Sequence, residues 1–295
     1  MRWALFALTF SLGLFAVSCA TVRYANVRLP GDTPMNKDVE NCLILTVHLA
    51  DGEKLPLVMD TGNPVTILDK SLEQKLGKPL GSTNTDNFGQ RINVTLFSPP
   101  PLYLEETPLA KPACGHYIFT MDCKEISAEA GRPIMGVLGM DILDNYSIQL
   151  NFTKGTIRFL DEQQVKKGGL GEKFALVNVG DGCFYIKENL TGMRGPGSLI
   201  DTGCNYDGWL TRQLFQNWTN RTSSPSKGEF HSPNGVLGGQ LYHDLDLQVE
   251  DPLTNDFHTQ LNGIGLHVLS RNLVTLDFPE RMMFLKRISP TQKMK

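Results

Sequence analysis

The sequence predicts a mostly β protein built as two similar lobes, and three observations predict it. The triplet Asp60-Thr61-Gly62 follows an apolar run, Leu57 to Met59, and recurs as Asp201-Thr202-Gly203 after Ser198-Leu199-Ile200. A cysteine precedes each triplet at one spacing: Cys42 lies eighteen residues before Asp60, and Cys183 eighteen before Asp201. Downstream, Leu138-Gly139-Met140-Asp141-Ile142-Leu143 and the run Ser147 to Phe152 align without a gap on Ile264-Gly265-Leu266-His267-Val268-Leu269 and Leu273 to Phe278. One Asp-Thr-Gly arises by accident in roughly one chain of this length in twenty, so two in matched surroundings mark an internal duplication.

The chain opens on Arg2 and an apolar run from Trp3 to Val17 that closes on Ser18, Cys19 and Ala20. That layout predicts a secretory signal peptide over residues 1–20. The run is shorter than the roughly 20 residues of a membrane span. Ala16-Val17-Ser18-Cys19 also has the shape of a degenerate bacterial lipobox, with Ala16 where Leu is usual. Two outcomes follow: a lipid on Cys19 that anchors the protein to a membrane, or cleavage near Ala20. Either exports the protein, to the periplasm, to the outer membrane as a lipoprotein, or into the medium.

Residues 21–40 are polar and punctuated by Pro and Gly, as in a tether or an extended first strand. The first lobe is expected over residues 41–160. Leu43 to Leu49 reads as a strand, Asp51-Gly52 as a turn, and Leu55 to Met59 as a second strand that delivers Asp60 to a loop. Asp69 to Leu76 reads as a short amphipathic helix ended by Gly77. The blocks Ile67 to Leu72 and Trp209 to Leu214 both look helical, offset by one inserted residue. A short helix, Met140 to Asp144, leads into a strand from Ser147 to Phe152, a Lys154-Gly155 turn and a strand from Thr156 to Leu160. Residues 161–173 have little to bury and read as the linker between lobes.

The second lobe, residues 174–295, repeats this order with a turn at Gly192 to Gly197 and a weaker apolar-Gly block, Gly263-Ile264-Gly265. Asn234-Gly235 and Gly238-Gly239 are hairpin signals.

An apolar content of 41% is ordinary for a chain that buries a core, and a net charge of −3 gives no reason to expect nucleic acid. Five cysteines remain beyond Cys19. In an exported protein, Cys114 and Cys123 are spaced for a loop staple, and the odd count leaves a thiol over. No C-x-x-C or H-E-x-x-H spacing suggests a metal, and no G-x-S-x-G or phosphate-binding glycine loop occurs. Six Asn-x-Ser/Thr triplets, at Asn93, Asn145, Asn151, Asn189, Asn217 and Asn220, read as chance, because Asn145 and Asn151 flank an apolar strand where a glycan would not fit.

From about residue 40 to 287 the chain resembles a retropepsin-like or pepsin-like aspartic protease with both halves on one polypeptide. The resemblance rests on four elements per half: strand, Asp-Thr-Gly turn, short helix and apolar-apolar-Gly strand. It implies the bilobal acid-protease fold, Asp60 and Asp201 as catalytic residues, no cofactor, a peptide or protein substrate, and a monomer. It implies that Gly62 and Gly203 permit a tight turn beside each Asp, and that Thr61 and Thr202 hydrogen-bond across the lobe interface. It places a flap at Asp86 to Phe97, with an equivalent at about Ser226 to Gln240. The alternative there is an edge hairpin with no gating role. Gly139 and Gly265 would allow the apolar strands to pass close behind the catalytic loops, or would merely end turns.

Two facing carboxylates cannot both ionise cheaply, so the pair holds one proton and offers a base and an acid together. That arrangement activates a water against a peptide carbonyl without a metal or a covalent intermediate. The plainer role is that each Asp caps the helical turn after it. The chain departs from the family after each Gly, where a small Ser, Thr or Ala is usual. Here stand Asn63, whose amide can still donate to the Asp, and Cys204, a weak donor. Two functions follow: an exported aspartic endopeptidase, or a non-catalytic relative that keeps the cleft to bind peptides or envelope components.

Overall fold

The computed structural model describes residues 8–9, 29, 31–35, 42–87, 90–111, 117–178, 182–220, 234–250 and 261–288. The signal-peptide expectation falls almost wholly outside them. Within them the duplication seen in sequence is a duplication of sheet topology. In the first lobe five strands lie in the order Ile118–Met121, Ile67–Asp69, Gly136–Leu138, Lys54–Met59 and Ile44–His48. In the second the order is Leu247–Glu250, Gly208–Thr211, Asn262–Ile264, Ser198–Ile200 and Tyr185–Ile186. The pairings run parallel, antiparallel, parallel and antiparallel in both. Each Asp-Thr-Gly turn therefore leaves a strand that runs parallel beside an apolar-Gly strand, with Val58 opposite Val137 and Leu199 opposite Gly263.

These central strands are apolar along their length rather than alternating, because both faces are covered. Leu57, Val58, Met59, Val137, Leu199 and Ile264 are completely buried. Backbone hydrogen bonds then fix each carboxylate's place: Asp60 N–H donates to Leu138 O at 3.1 Å, and Asp201 N–H to Ile264 O at 3.0 Å.

A third sheet joins the lobes. Its order is Glu172–Ala175, Met282–Arg287, Asn272–Asp277, Ser147–Asn151, Thr156–Leu160 and Asp32–Pro34. One hairpin comes from each half, and they meet along the antiparallel pair Ser147–Asn151 and Asn272–Asp277. Ile148, Leu150, Val274 and Leu276 are completely buried at this seam. Gln149 and Thr275 are equivalent residues of the repeat and are also each other's partners, bonded at 3.1 Å from Gln149 Nε2 to Thr275 Oγ1. A pair equivalent to itself lies on the symmetry axis, so the approximate two-fold passes through it. Arg281 also spans the lobes, pairing with Asp144 and stacking 4.5 Å over the Phe184 ring.

Several expectations are corrected. Both blocks that look helical begin as strands, Ile67–Asp69 and Gly208–Thr211, and only then turn into Lys70–Leu72 and Glu73–Leu76, and into Arg212–Thr219. Their apolar residues sit between strand neighbours on both sides, and that burial outweighs the helical spacing. Asp69 and Thr211 act as the N-caps, accepting from Ser71 N at 2.9 Å and Leu214 N at 3.4 Å. Part of the expected linker is ordered as a helix, Glu162–Lys166, closed by an Asp161–Gln164 capping box.

The first-lobe hairpin is longer than expected, Gly81–Asn87 paired with Gln90–Phe97, and residues 88–89 lie outside the described set. In the second lobe, Gly238 and Gly239 form the turn between Gly235–Leu237 and Gln240–Tyr242, with φ of +56° and +71°. Asn234-Gly235 instead leads into the strand. Val236 bridges Thr191 in parallel, whereas Tyr103 of the Tyr103–Leu104 and Thr107–Pro108 hairpin pairs antiparallel with His48. Residues 226–233 of the expected second flap lie outside the described set. The Cys114–Cys123 staple is not formed: Cys123 is a free, buried thiol whose backbone N–H is held by Asp69 Oδ2 at 2.9 Å.

Candidate active site

The two Asp-Thr-Gly loops meet at the lobe interface, and their middle residues interlock. Thr61 N–H donates to Thr202 Oγ1 at 3.0 Å, and Thr202 N–H donates to Thr61 Oγ1 at 3.1 Å. Each hydroxyl then donates onward, Thr61 to Ile200 O and Thr202 to Met59 O, both at 2.6 Å. The link expected of Thr61 and Thr202 is present, and every polar group in it has a partner, as burial requires.

The glycines do something other than expected. Neither Gly62 nor Gly203 has positive φ, so neither is required for the turn itself. Each is required by the opposite carboxyl. A Cβ on Gly62 would fall 2.6 Å from Asp201 Cγ, and one on Gly203 would fall 2.5 Å from Asp60 Cγ. The two acids thus approach across the axis, each lying on the other loop's glycine.

Within its own loop, Asp60 Oδ1 accepts from Gly62 N at 2.8 Å. Asp201 Oδ1 accepts from Gly203 N at 2.8 Å and Cys204 N at 3.1 Å. Both residues are buried, with exposures of 0% and 2%. Asp60 Oδ2 makes no hydrogen bond. Burial, then the neighbouring Asp201 charge, push the Asp60 carboxyl well above its usual range, against the Gly62 N–H. Burial also raises Asp201, to about 7, while the Gly203 N–H, the adjacent Asp60 carboxyl and the Cys204 N–H pull it down. Burial thus favours the neutral form of both carboxyls.

The expectation that Asn63 supports its Asp is not met. Its Oδ1 accepts from Val65 N at 3.3 Å and its buried Nδ2 has no partner. Cys204 Sγ faces Tyr206 O at 3.9 Å, so its backbone, not its thiol, supports Asp201.

Behind each loop the apolar-Gly strand passes at backbone contact, as expected for Gly139 and Gly265. A Cβ on Gly139 would lie 2.5 Å from Val65 C, and one on Gly265 would lie 2.2 Å from Tyr206 O. Met140 N and Leu266 N donate to Asn63 O and Cys204 O, both at 2.8 Å, so the helices that follow anchor the loops. Sequence reasoning missed the side chains of these anchors. In the first lobe Thr66 Oγ1 accepts from Gly139 N at 3.1 Å and donates to Asp141 Oδ1 at 2.6 Å, and burial raises Asp141 to about 6. In the second, Asp207 is held by Arg271 at 2.8 Å and by Asp246 N at 2.7 Å. The available signal was Asp141 itself, a charge inside an otherwise apolar helical block.

No protein-family model and no curated protein matches the chain by sequence. Solved structures do match by shape. An aspartic proteinase from Irpex lacteus is 13% identical over 88% of this chain and 97% of its own, with a TM-score of 0.54. Conglutin gamma, a basic 7S globulin from lupine seeds, is 12% identical over 87% and 94%, also with a TM-score of 0.54. The basic 7S globulin from soybean is 12% identical over 88% and 95%, with a TM-score of 0.52. Proteins named as a proteinase and as globulins are equally similar at low identity, so the likeness establishes architecture and not activity. The chain has the bilobal, mostly β, pepsin-like fold.

Proposed function

We propose that the chain is an aspartic endopeptidase in which Asp60 and Asp201 form the acid–base pair. The observation that carries this is the reciprocal packing of each carboxyl on the other loop's glycine, which brings two buried acids together across the two-fold. One proton is shared by the pair over a range of pH. In the cycle that follows, Asp201 takes the ionised role and Asp60 the protonated one.

A water between them gives its proton to Asp201 while its oxygen bonds to the peptide carbonyl carbon. Asp60 passes its proton to the carbonyl oxygen. The tetrahedral diol then collapses: the C–N bond breaks, the amine nitrogen takes the proton from Asp201, and a diol hydroxyl returns a proton to Asp60. An extended peptide fits this chemistry, lying between the lobes with backbone pairing to the Gly81–Phe97 hairpin. The protein acts as a monomer, since both halves of the pair are on one chain. The leader supports export, with Cys19 as a lipid anchor or with cleavage near Ala20.

A second reading has its own observation. Neither Asn63 nor Cys204 gives a side-chain donor to the pair, and Asp60 Oδ2 is unpartnered, as suits a cleft that binds peptides without cutting them. Incubation of the purified protein with a peptide library from acidic to neutral pH, read by mass spectrometry, separates the two. The proposal expects new termini in the library. Peptides retained intact on the protein, with no cleavage at any pH, would favour the binding module.

A further inference from the structure

Cys183 lies in the second lobe but reaches the catalytic loop of the first. Its thiol donates to Gly62 O at 3.3 Å. The contacts of Cys123 to Met121 O and Cys204 to Tyr206 O are longer, 3.8 and 3.9 Å, and stay two residues away in their own lobes. The next residue back fits the same loop. Gly182 has φ of +91°, and a Cβ there would fall 2.9 Å from Pro64 Cβ. The step Gly182-Cys183 is therefore seated on Gly62 to Pro64 across the lobe boundary.

Gly62 is the residue through which such a seat bears on the acids. Its N–H holds Asp60 Oδ1 at 2.8 Å, its Cα lies on the Asp201 carboxyl, and its carbonyl is held by Cys183. The Gly62 Cα joins the peptide that carries the N–H to Asp60 to the peptide whose carbonyl Cys183 holds, so a shift of the second peptide would displace the residue that touches both carboxyls. The surroundings of the thiol are apolar and aromatic, with Tyr185, Leu199 and Trp209 in the same cluster. A thiol tolerates such a pocket while still offering a weak donor, whereas a hydroxyl there would bury further unpaired polar capacity.

We infer that Cys183 is a positioning residue for the Asp60–Asp201 pair, fixing the Gly62–Asn63 peptide from the opposite lobe. This inference rests on the proposed acid–base role of the pair. Packing alone and positioning make opposite predictions for two small substitutions. Cys183→Ala keeps the site apolar and removes the donor. Cys183→Ser keeps a donor in the same place but buries a more polar group.

The test uses the full chain carrying each substitution, with ¹³C-carboxyl titration of Asp60 and Asp201, peptide turnover and thermal unfolding measured together. For Cys183→Ala, the apparent pKa values of the pair should move by about half a unit. Its kcat should fall roughly three- to tenfold with KM unchanged. Cys183→Ser should melt lower than Cys183→Ala yet titrate and turn over within about twofold of the parent. If Cys183→Ala does not fold, Cys183→Val makes the same comparison without a donor. A donor-less variant that titrates like the parent overturns the inference, whatever happens to turnover. A shifted titration in a protein that cleaves nothing supports the seat and removes the protease reading instead.

Discussion

Thr61 and Thr202 lock each other reciprocally: each backbone N–H is satisfied by the other's hydroxyl, and each hydroxyl by a strand carbonyl. Four buried hydrogen bonds thus cross the lobe interface at the loops that carry the acids. Replacing either Thr by Val leaves an N–H and a carbonyl unpaired where water does not enter. Each substitution should cost about 2–4 kcal/mol of unfolding free energy. The double variant should cost less than the sum, because both act on one network. Urea denaturation of the four proteins measures this, and strict additivity would show that the bonds are independent.

Gly62→Ala and Gly203→Ala should act on chemistry more than on stability. The added methyl would lie well inside van der Waals contact with the opposite carboxyl, so the two acids must separate. Activity should fall at least about a hundredfold in each, since misplacement by roughly 1 Å is enough for that. Because the clash is with the acid of the other loop, Gly62→Ala should perturb the titration of Asp201 first, and Gly203→Ala that of Asp60. Carboxyl-resolved titration beside turnover checks the cross-over.

The pH dependence follows from the two raised carboxyls. In the folded state Asp201 ionises at about 7 against 3.8 for an unperturbed Asp, and burial and the neighbouring Asp201 charge raise Asp60 well above 3.8 too. The native protein therefore holds more protons than the unfolded chain between these values. The stabilisation is fully present below about 3.8 and is lost as pH rises through about 7. Stability measured against pH should decline across this window, and Asp201→Asn should flatten the decline. Cleavage needs Asp201 ionised and Asp60 protonated, so kcat/KM should rise through about pH 7 and fall again as Asp60 loses its proton. An optimum far on the acid side would contradict the geometry described for Asp201.

The duplication, the two Asp turns and the threonine link were legible because each rests on a local pattern that recurs. Strand-borne turns announce themselves by an apolar run before Asp. Other features were not legible, for physical reasons. Ile67-Leu68 and Trp209-Leu210 look helical by spacing, but their partners lie on strands far along the chain, and tertiary pairing decided their state. The Thr66–Asp141 bond joins residues 75 apart; Asp141 stands out as a charge in an apolar block, but nothing local names its partner. The reason for the glycines was misread, since a tripeptide suggests a turn while the constraint comes from the other lobe's carboxyl. Asn63 was expected to support Asp60, but its own loop offers Val65 N–H and captures the side-chain oxygen.

The central claim is that Asp60 and Asp201 act as one acid–base unit. The most direct measurement is peptide turnover by the parent, Asp60→Asn, Asp201→Asn and the double variant, with circular dichroism confirming that all four are folded. An amide is close in shape to a carboxyl but can neither accept the water's proton nor share one, so packing survives and the pair does not. The account predicts that each single substitution abolishes cleavage and that the double variant is hardly worse than either, because residues acting as a unit are not additive. Undiminished cleavage by a folded Asp201→Asn or Asp60→Asn protein would contradict it.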